Sequence, residues 1–275
     1  MNALEPDFRK YQLQIQFIGA STLSNCGLAE TFGVEQLQTP NLRYVASPSW
    51  RDLTLGDVAS EAANQRVALS NAVTIIHVDE RVRSWYWSEG TKLINGACTA
   101  DARSAVLWEL AERVVQALSN SGIRTIALRS CDLQTTPAHQ RSTAYDYITN
   151  TYVGLHVDNH DHLPARERSA GFQVVALNVG TRERYLDFVN LSVPGLLEGL
   201  EPGAFDDNNP GFARRLVHDF FARRPNHQIL RLRLPPDYAY IAVTQNFIHD
   251  GATNCVGDDD VALLVAGQFE WAAGS

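Results

Sequence analysis

Several protein classes are excluded by what this sequence has little of. Its 4 cysteines, Cys26, Cys98, Cys131 and Cys255, are scattered through 275 residues and form no C-x-x-C pair. That spacing suits neither a zinc ribbon nor a disulfide scaffold. Lysine is confined to Lys10 and Lys92, and 23 basic residues face 31 acidic ones, a net charge of −8. A phosphate-binding surface needs a basic face, so no nucleic-acid partner is expected. No apolar run approaches the length of about 18 residues that spans a bilayer. The opening MNALEPDFRKYQ carries no apolar segment either. The expectation is a soluble, cytoplasmic protein with neither membrane partner nor secretion signal. A Gly-rich nucleotide loop and a G-x-S-x-G elbow are also missing.

What is present is an ordinary folding chain, 45% hydrophobic and 20% charged, long enough to bury a core without metal or disulfide support. Residues 12–18 alternate polar and apolar, a strand pattern. Val58, Ala62, Ala63 and Val67 fall at helical spacing. A stronger helix follows, with Asp101 as its expected cap, Val106, Leu107, Leu110, Val114 and Leu118 on one face, and Gly122 as its stop. Beyond Gly122 short β-rich runs recur at 123–129, 147–157, 172–179, 185–193, 229–234, 239–245 and 261–267. Helices do not alternate with them, so a parallel βαβ fold is not expected. The fold class is mainly β with flanking helices, on a double-stranded β-helix, or jelly-roll, core of cupin type. A single domain over 1–275 is expected. Residues 1–122 would form a supporting region, 123–270 the core, and 194–227 an insertion with a helix at 211–223.

Chemistry concentrates in His156-Val157-Asp158 and, 91 positions on, His249. Residues i and i+2 of a strand share a face, so His156 and Asp158 would both point into the barrel. A second imidazole from a neighbouring strand completes two nitrogens and one oxygen on one face of a metal. Non-heme Fe(II) oxygenases use that set. The same spacing occurs in His77-Val78-Asp79, but most of the β-rich runs lie far downstream of it. A strand end with a surface ion pair is its simpler reading. His156 and Asp158 could themselves be a solvated strand end, since Asn159-His160-Asp161-His162 follows, or His160 and His162 could join another metal site. Trp85-Tyr86-Trp87 reads as core packing or a lid, and Asp258-Asp259-Asp260 as a turn.

The segments YDYITNTYVGLHVDNHD and YIAVTQNFIHDGAT, the second with its His-Asp-Gly turn at 249–251, and H-x-D…H in order, resemble the Fe(II)- and 2-oxoglutarate-dependent oxygenase superfamily over residues 123–270. A finer resemblance is to bacterial tailoring oxygenases of amino acids, including lysine-halogenase-like and nitrocyclopropane-forming enzymes. The resemblance implies catalytic iron held by His156, Asp158 and His249, with 2-oxoglutarate as co-substrate, O2 as oxidant and a small-molecule substrate. Many relatives anchor the distal carboxylate of 2-oxoglutarate with an Arg soon after the last His; here no Arg or Lys follows Arg233. Other relatives place the anchor on the fourth core strand, which implies Arg184 or its neighbour Arg182, with Arg129 in reserve and Thr253 as a hydroxyl donor. Halogenating relatives leave the carboxylate position to Gly or Ala. Asp158 fills it, which implies hydroxylation, desaturation or ring closure in natural-product biosynthesis. The alternatives are a cupin-like metalloenzyme without 2-oxoglutarate and a non-catalytic jelly-roll binding module.

Overall fold

The structure, a computed structural model, describes residues 9–37, 43–54, 67–96, 99–198, 200, 211–253 and 259–273. Its strands in the first part of the chain are β1 (Gln14–Ile18), β2 (Leu28–Phe32), β3 (Val34–Leu37), β4 (Arg43–Ala46), β5 (Arg51–Asp52), β6 (Ala72–His77) and β7 (Ile123–Thr136). There follow β8 (Tyr145–Asp146), β9 (Thr151–Tyr152), β10 (Gln173–Asn178), β11 (Arg184–Ser192), β12 (Gln228–Leu234), β13 (Tyr238–Ala242), β14 (Phe247–Thr253) and β15 (Asp260–Trp271). Two sheets carry the architecture. One has the order β1-β6-β13-β10-β15-β7, the other β14-β11-β12-β2-β5. All their pairings are antiparallel except β1 with β6.

Strands after residue 122 alternate between the two sheets: β7 and β10 in the first, β11 and β12 in the second, β13 back in the first, β14 in the second, β15 in the first. That back-and-forth winding is a jelly roll. The sheets draw strands from both sides of residue 122, because β1 and β6 extend the first and β2 and β5 the second.

Apolar residues sort into three layers. Between the sheets lie Leu186, Phe188, Leu230, Leu232, Val73 and Ile75, among others. Outside the first sheet, the helix Ala100–Asn120 turns Val106, Leu110, Val114 and Leu118 inward, with Leu107 partly buried against the same cluster. Each fully buried Leu or Val contributes about 1.5–3 kcal/mol, so this face docks the helix. Its cap is Thr99, whose hydroxyl accepts from the Ala102 amide at 3.2 Å, and not Asp101 as the sequence suggested. An Asp one position inside a helix meets the dipole but cannot reach the orphan amide. Outside the second sheet, the helix Phe212–Arg223 buries Leu216, Val217, Phe220 and Phe221.

Two sequence expectations are corrected by the backbone. The run 147–157 is not one strand: β8 and β9 form a short hairpin that turns through Asn150 at φ 54°, and His156 joins the sheet by an isolated bridge. The His249-Asp250-Gly251 triplet is not a turn but lies inside β14, between β11 and that bridge. The expected helical positions Val58, Ala62 and Ala63, the thiols Cys98 and Cys255, and Asp258 lie outside the described residues. Tyr86 packs into the core beside the long helix, and the Trp87 indole donates to the Val179 carbonyl at 2.8 Å, so the aromatic triplet packs the fold. Among the described residues no helix is long and apolar enough to cross a membrane.

Candidate metal centre

The backbone alone brings the two imidazoles together. His156 and His249 are antiparallel bridge partners, exchanging amide-to-carbonyl bonds at 2.9 and 2.8 Å. Directly opposed residues of a bridge project to the same face, and the rings lie 4.5 Å apart between centroids. Two residues after His156, Asp158 returns to that face. Its amide reaches the Thr244 carbonyl at 3.4 Å. Gly154 permits the approach: its φ is 74°, and a Cβ there would stand 2.4 Å from the Tyr44 carbonyl oxygen. Only glycine adopts both the angle and the contact without strain.

Each ring is oriented by its other nitrogen. His156 Nδ1 is 2.8 Å from the Gly154 carbonyl and His249 Nδ1 is 3.3 Å from the Phe247 carbonyl. A carbonyl can only accept, so Nδ1 carries the proton in both rings and Nε2 is the ligand atom. Those Nε2 atoms lie 3.5 and 3.9 Å from the two Asp158 carboxylate oxygens. One ligand atom from each residue falls within 4.8 Å of the others. Two atoms bound to one ion at about 2.1 Å lie at most about 4.2 Å apart, and both separations from Asp158 fall inside that limit.

The electrostatics suit a cation. Burial lowers the proton affinity of His156, but the Asp158 carboxylate outweighs it and the imidazole rises to about 9. Burial acts against the Asp158 anion, yet His156, His160 and His249 hold it well below the ordinary carboxylate range. His249 goes the other way, to about 4, through burial and the neighbouring His156 charge. The metal-free centre therefore holds a His156–Asp158 ion pair beside a neutral, ligand-ready His249. A divalent ion held here would have to displace the His156 proton.

Sequence reasoning missed the residue that supports this centre from behind. Arg168 is buried, and its guanidinium donates to the Asp158 carbonyl at 2.9 Å, the Gln245 carbonyl at 3.2 Å and the Asn159 side chain at 2.6 Å. It ties the chain that carries Asp158 to the turn that leads into His249. A buried arginine announces itself only through its partners, and those are distant in sequence.

The three side chains open onto a cavity of about 950 Å³ between the sheets. Arg184 lines it at the start of β11 and is 3% exposed. Asp260 lies 3.7 Å away, and among the described residues Nε and Nη1 meet no hydrogen-bond acceptor. A buried donor left unpaired costs about 1–3 kcal/mol, so the site suits a ligand carrying a carboxylate. Asp260 is thus the first residue of β15 and the buried counter-ion of Arg184, not part of a solvated turn. Tyr240 lines the same cavity, its phenol pushed up to about 12 by burial although Arg184 opposes the shift. It remains a hydroxyl donor at neutral pH.

The other sequence candidates lie elsewhere. Arg182 is exposed in the turn before β11 and does not line the cavity. Thr253 is the Cα partner of Arg184, but its hydroxyl donates to the Pro137 carbonyl at 3.1 Å and accepts from the Gln140 amide at 2.8 Å. Arg129 lines the mouth, ion-paired with Asp161. His160 stands 3.5 Å from the second Asp158 oxygen, and among the described residues no metal-ligand cluster includes His160 or His162.

No family model matches the sequence, and no curated protein matches it significantly. Among solved structures, the chain is similar to the Kdo hydroxylase KdoO, a non-heme Fe(II) alpha-ketoglutarate-dependent dioxygenase solved with alpha-ketoglutarate and Fe(III). That match has 13% identity and a TM-score of 0.41 over 73% of this chain and 81% of the other. The chain is also similar to the epimerase SnoN, solved with Fe3+, alpha-ketoglutarate and nogalamycin RO, at 14% identity and a TM-score of 0.37 over 72% and 81%. Both likenesses are remote. Independently of them, the jelly-roll winding and the His156–Asp158–His249 cluster are the fold and the ligand set implied by the resemblance to the Fe(II)/2-oxoglutarate-dependent oxygenase superfamily.

Proposed function

We propose that this protein is an Fe(II)- and 2-oxoglutarate-dependent oxygenase that oxidises a C–H bond of a small, amino-acid-like substrate. One observation carries the reading. Two neutral-capable imidazoles and a carboxylate converge at a cavity that also holds a buried, incompletely paired guanidinium. Such a three-ligand set leaves positions open on an iron. Arg184, with Tyr240 beside it, offers the planar fork and hydroxyl that suit a carboxylate. With iron and 2-oxoglutarate bound, the centre would supply the oxidation of an unactivated C–H bond by O2, with release of CO2 and succinate.

The chain's own residues do the rest. His156, Asp158 and His249 hold the metal, and the carbonyls of Gly154 and Phe247 fix the ring orientations. Arg168 holds the Asp158 backbone. Arg184 and Tyr240 bind the distal carboxylate of the co-substrate. The sheet walls, through Leu186, Leu264 and Ala266, keep the cavity apolar on that side. Asp158 occupies the position that halogenating relatives give to Gly or Ala, which supports hydroxylation, desaturation or ring closure. A role in bacterial natural-product tailoring follows the finer sequence resemblance.

Adding Fe(II) and 2-oxoglutarate without oxygen tests the reading. A weak visible charge-transfer band should develop with the wild type and be lost in His156→Ala. Metal binding without the band would point instead to a cupin-like enzyme that does not use 2-oxoglutarate. No stoichiometric metal would leave a binding module.

A further inference from the structure

The mouth of the cavity contains a second guanidinium whose placement the metal centre does not explain. Strand β7 forms the edge of the first sheet and pairs with β15. Ser130 faces Ala266 and Leu128 faces Gly267, so Arg129 is an extra residue, a β-bulge. Bulges next to a site re-aim a side chain. Here the bulge has that effect. Leu128 and Cys131 pack outward on the helix side, whereas Arg129, Ser130 and Asp132 line the cavity. Gly267 keeps the bulge in place, since a Cβ there would lie 2.4 Å from the Ala127 carbonyl oxygen.

The guanidinium is then held on two sides. It lies over the Phe172 ring, 4.4 Å from the centroid, and Nη1 donates to Asp161. Asp161 is itself fixed: its second oxygen accepts from the Gln245 side chain at 2.7 Å, and its amide donates to the same Gln245 at 2.9 Å. Gln245 sits in the turn before the His249 strand. Among the described residues the Nε and Nη2 donors of Arg129 meet no protein acceptor, while the side chain stays about half exposed. Nε–H and Nη2–H are parallel, the arrangement that takes a carboxylate through two hydrogen bonds.

We infer that Arg129 is the substrate anchor: its Nε/Nη2 edge binds a carboxylate of the substrate at the cavity mouth, so the substrate is a small carboxylic acid. The assignment of that acid as the oxidised substrate rests on the proposed oxygenase reading; the anion site itself does not. Arg184 cannot serve both ends, because it is buried beside Asp260 at the other side of the cavity wall and is matched to the co-substrate. The Asp161 pair does not saturate Arg129. It orients the guanidinium and connects substrate anchoring to the turn that carries His249.

Two measurements test this separately. Small amino, hydroxy and dicarboxylic acids and their matching carboxamides are screened by ligand-observed NMR against the Zn(II)- and 2-oxoglutarate-loaded protein. The wild type should bind at least one acid in preference to its amide. Arg129→Gln should weaken that acid about 10- to 100-fold, as expected for lost charge-assisted bonds, and Arg129→Lys should recover part of it. The Fe(II)/2-oxoglutarate band and the melting temperature should be unchanged in both variants. Equal binding of acids and amides, binding of no acid, or an Arg129→Gln protein that binds the acid as the wild type does would each overturn the inference. Arg129-dependent acid binding without any band in the wild type would leave the anion site standing and remove the oxygenase reading alone.

Discussion

The chain contains the same triplet twice, and the two copies have different fates. His77-Val78-Asp79 and His156-Val157-Asp158 each sit at the end of an extended segment. In the first, His77 is exposed, its ring 5.0 Å from Tyr238, and the partly exposed Asp79 is closed on Arg81. In the second, the His is bridged to another His, and both side chains of the triplet face a cavity. Identical local sequence thus yields a surface ion pair in one place and, in the other, part of a His-Asp-His cluster that could hold a metal ion. The difference is the neighbouring strand: β6 is flanked by β1 and β13, neither of which brings an imidazole to His77, whereas His156 lies against β14.

The sharpest way to break the comparison is to delete a ligand from each copy. His249→Ala should abolish measurable Fe(II) or Co(II) binding, since two ligands remain of three, while His77→Ala and Asp79→Asn should bind metal as the wild type does. Isothermal titration under anaerobic conditions reads this directly, and a loss of affinity in His77→Ala would undo the assignment. Next in size is Arg184→Ala. It removes the buried fork, and 2-oxoglutarate should bind about 100-fold more weakly with the metal still in place, for two charge-assisted hydrogen bonds. Co-substrate affinity that survives would move the anchor away from β11.

The smallest effect is graded by pH. His156 is raised from 6.5 to about 9 by Asp158, so the metal competes with a proton there. Apparent Co(II) affinity should climb about tenfold per pH unit between pH 7 and pH 9 and then level. The sign for the metal-free protein is opposite. A group whose proton is held more tightly after folding contributes stability that is fully present below pH 6.5 and is lost as pH rises through about 9. Melting curves at pH 6.5 and 9 should therefore show the metal-free protein losing stability and the cobalt-induced increase growing. A pH-independent increase would mean that His156 carries no proton to displace.

Much of the fold was legible because its signals are local. The β-rich runs 172–179, 185–193 and 229–234 mark β10, β11 and β12, and the apolar stripe from Val106 to Leu118 marks the long helix. The reading failed where hydrogen bonding depends on distant chain. FIHDGAT carries a polar His-Asp-Gly centre that reads as a turn, yet between β11 and the His156 bridge its amides are paired and its charges face inward. The 147–157 run looked continuous because Tyr, Ile and Thr favour strands. Its break at Asn150 comes from a left-handed residue that no periodicity records.

By itself the sequence determined the class: enough apolar residues for a core, β-rich runs after residue 122, a net charge of −8, and His-x-Asp…His in a recognisable order. Tertiary structure decided which of two identical triplets meets a second imidazole at a cavity and which of several arginines is buried in that cavity's wall. It also set the bulge that turns Arg129 inward and the contacts through which Arg168 supports the ligands. The reason is one of range. Periodicity and turn chemistry act over a few residues, whereas coordination and the pairing of buried charge require groups from separate strands to meet within a few ångströms, and only the folded sheets bring them there.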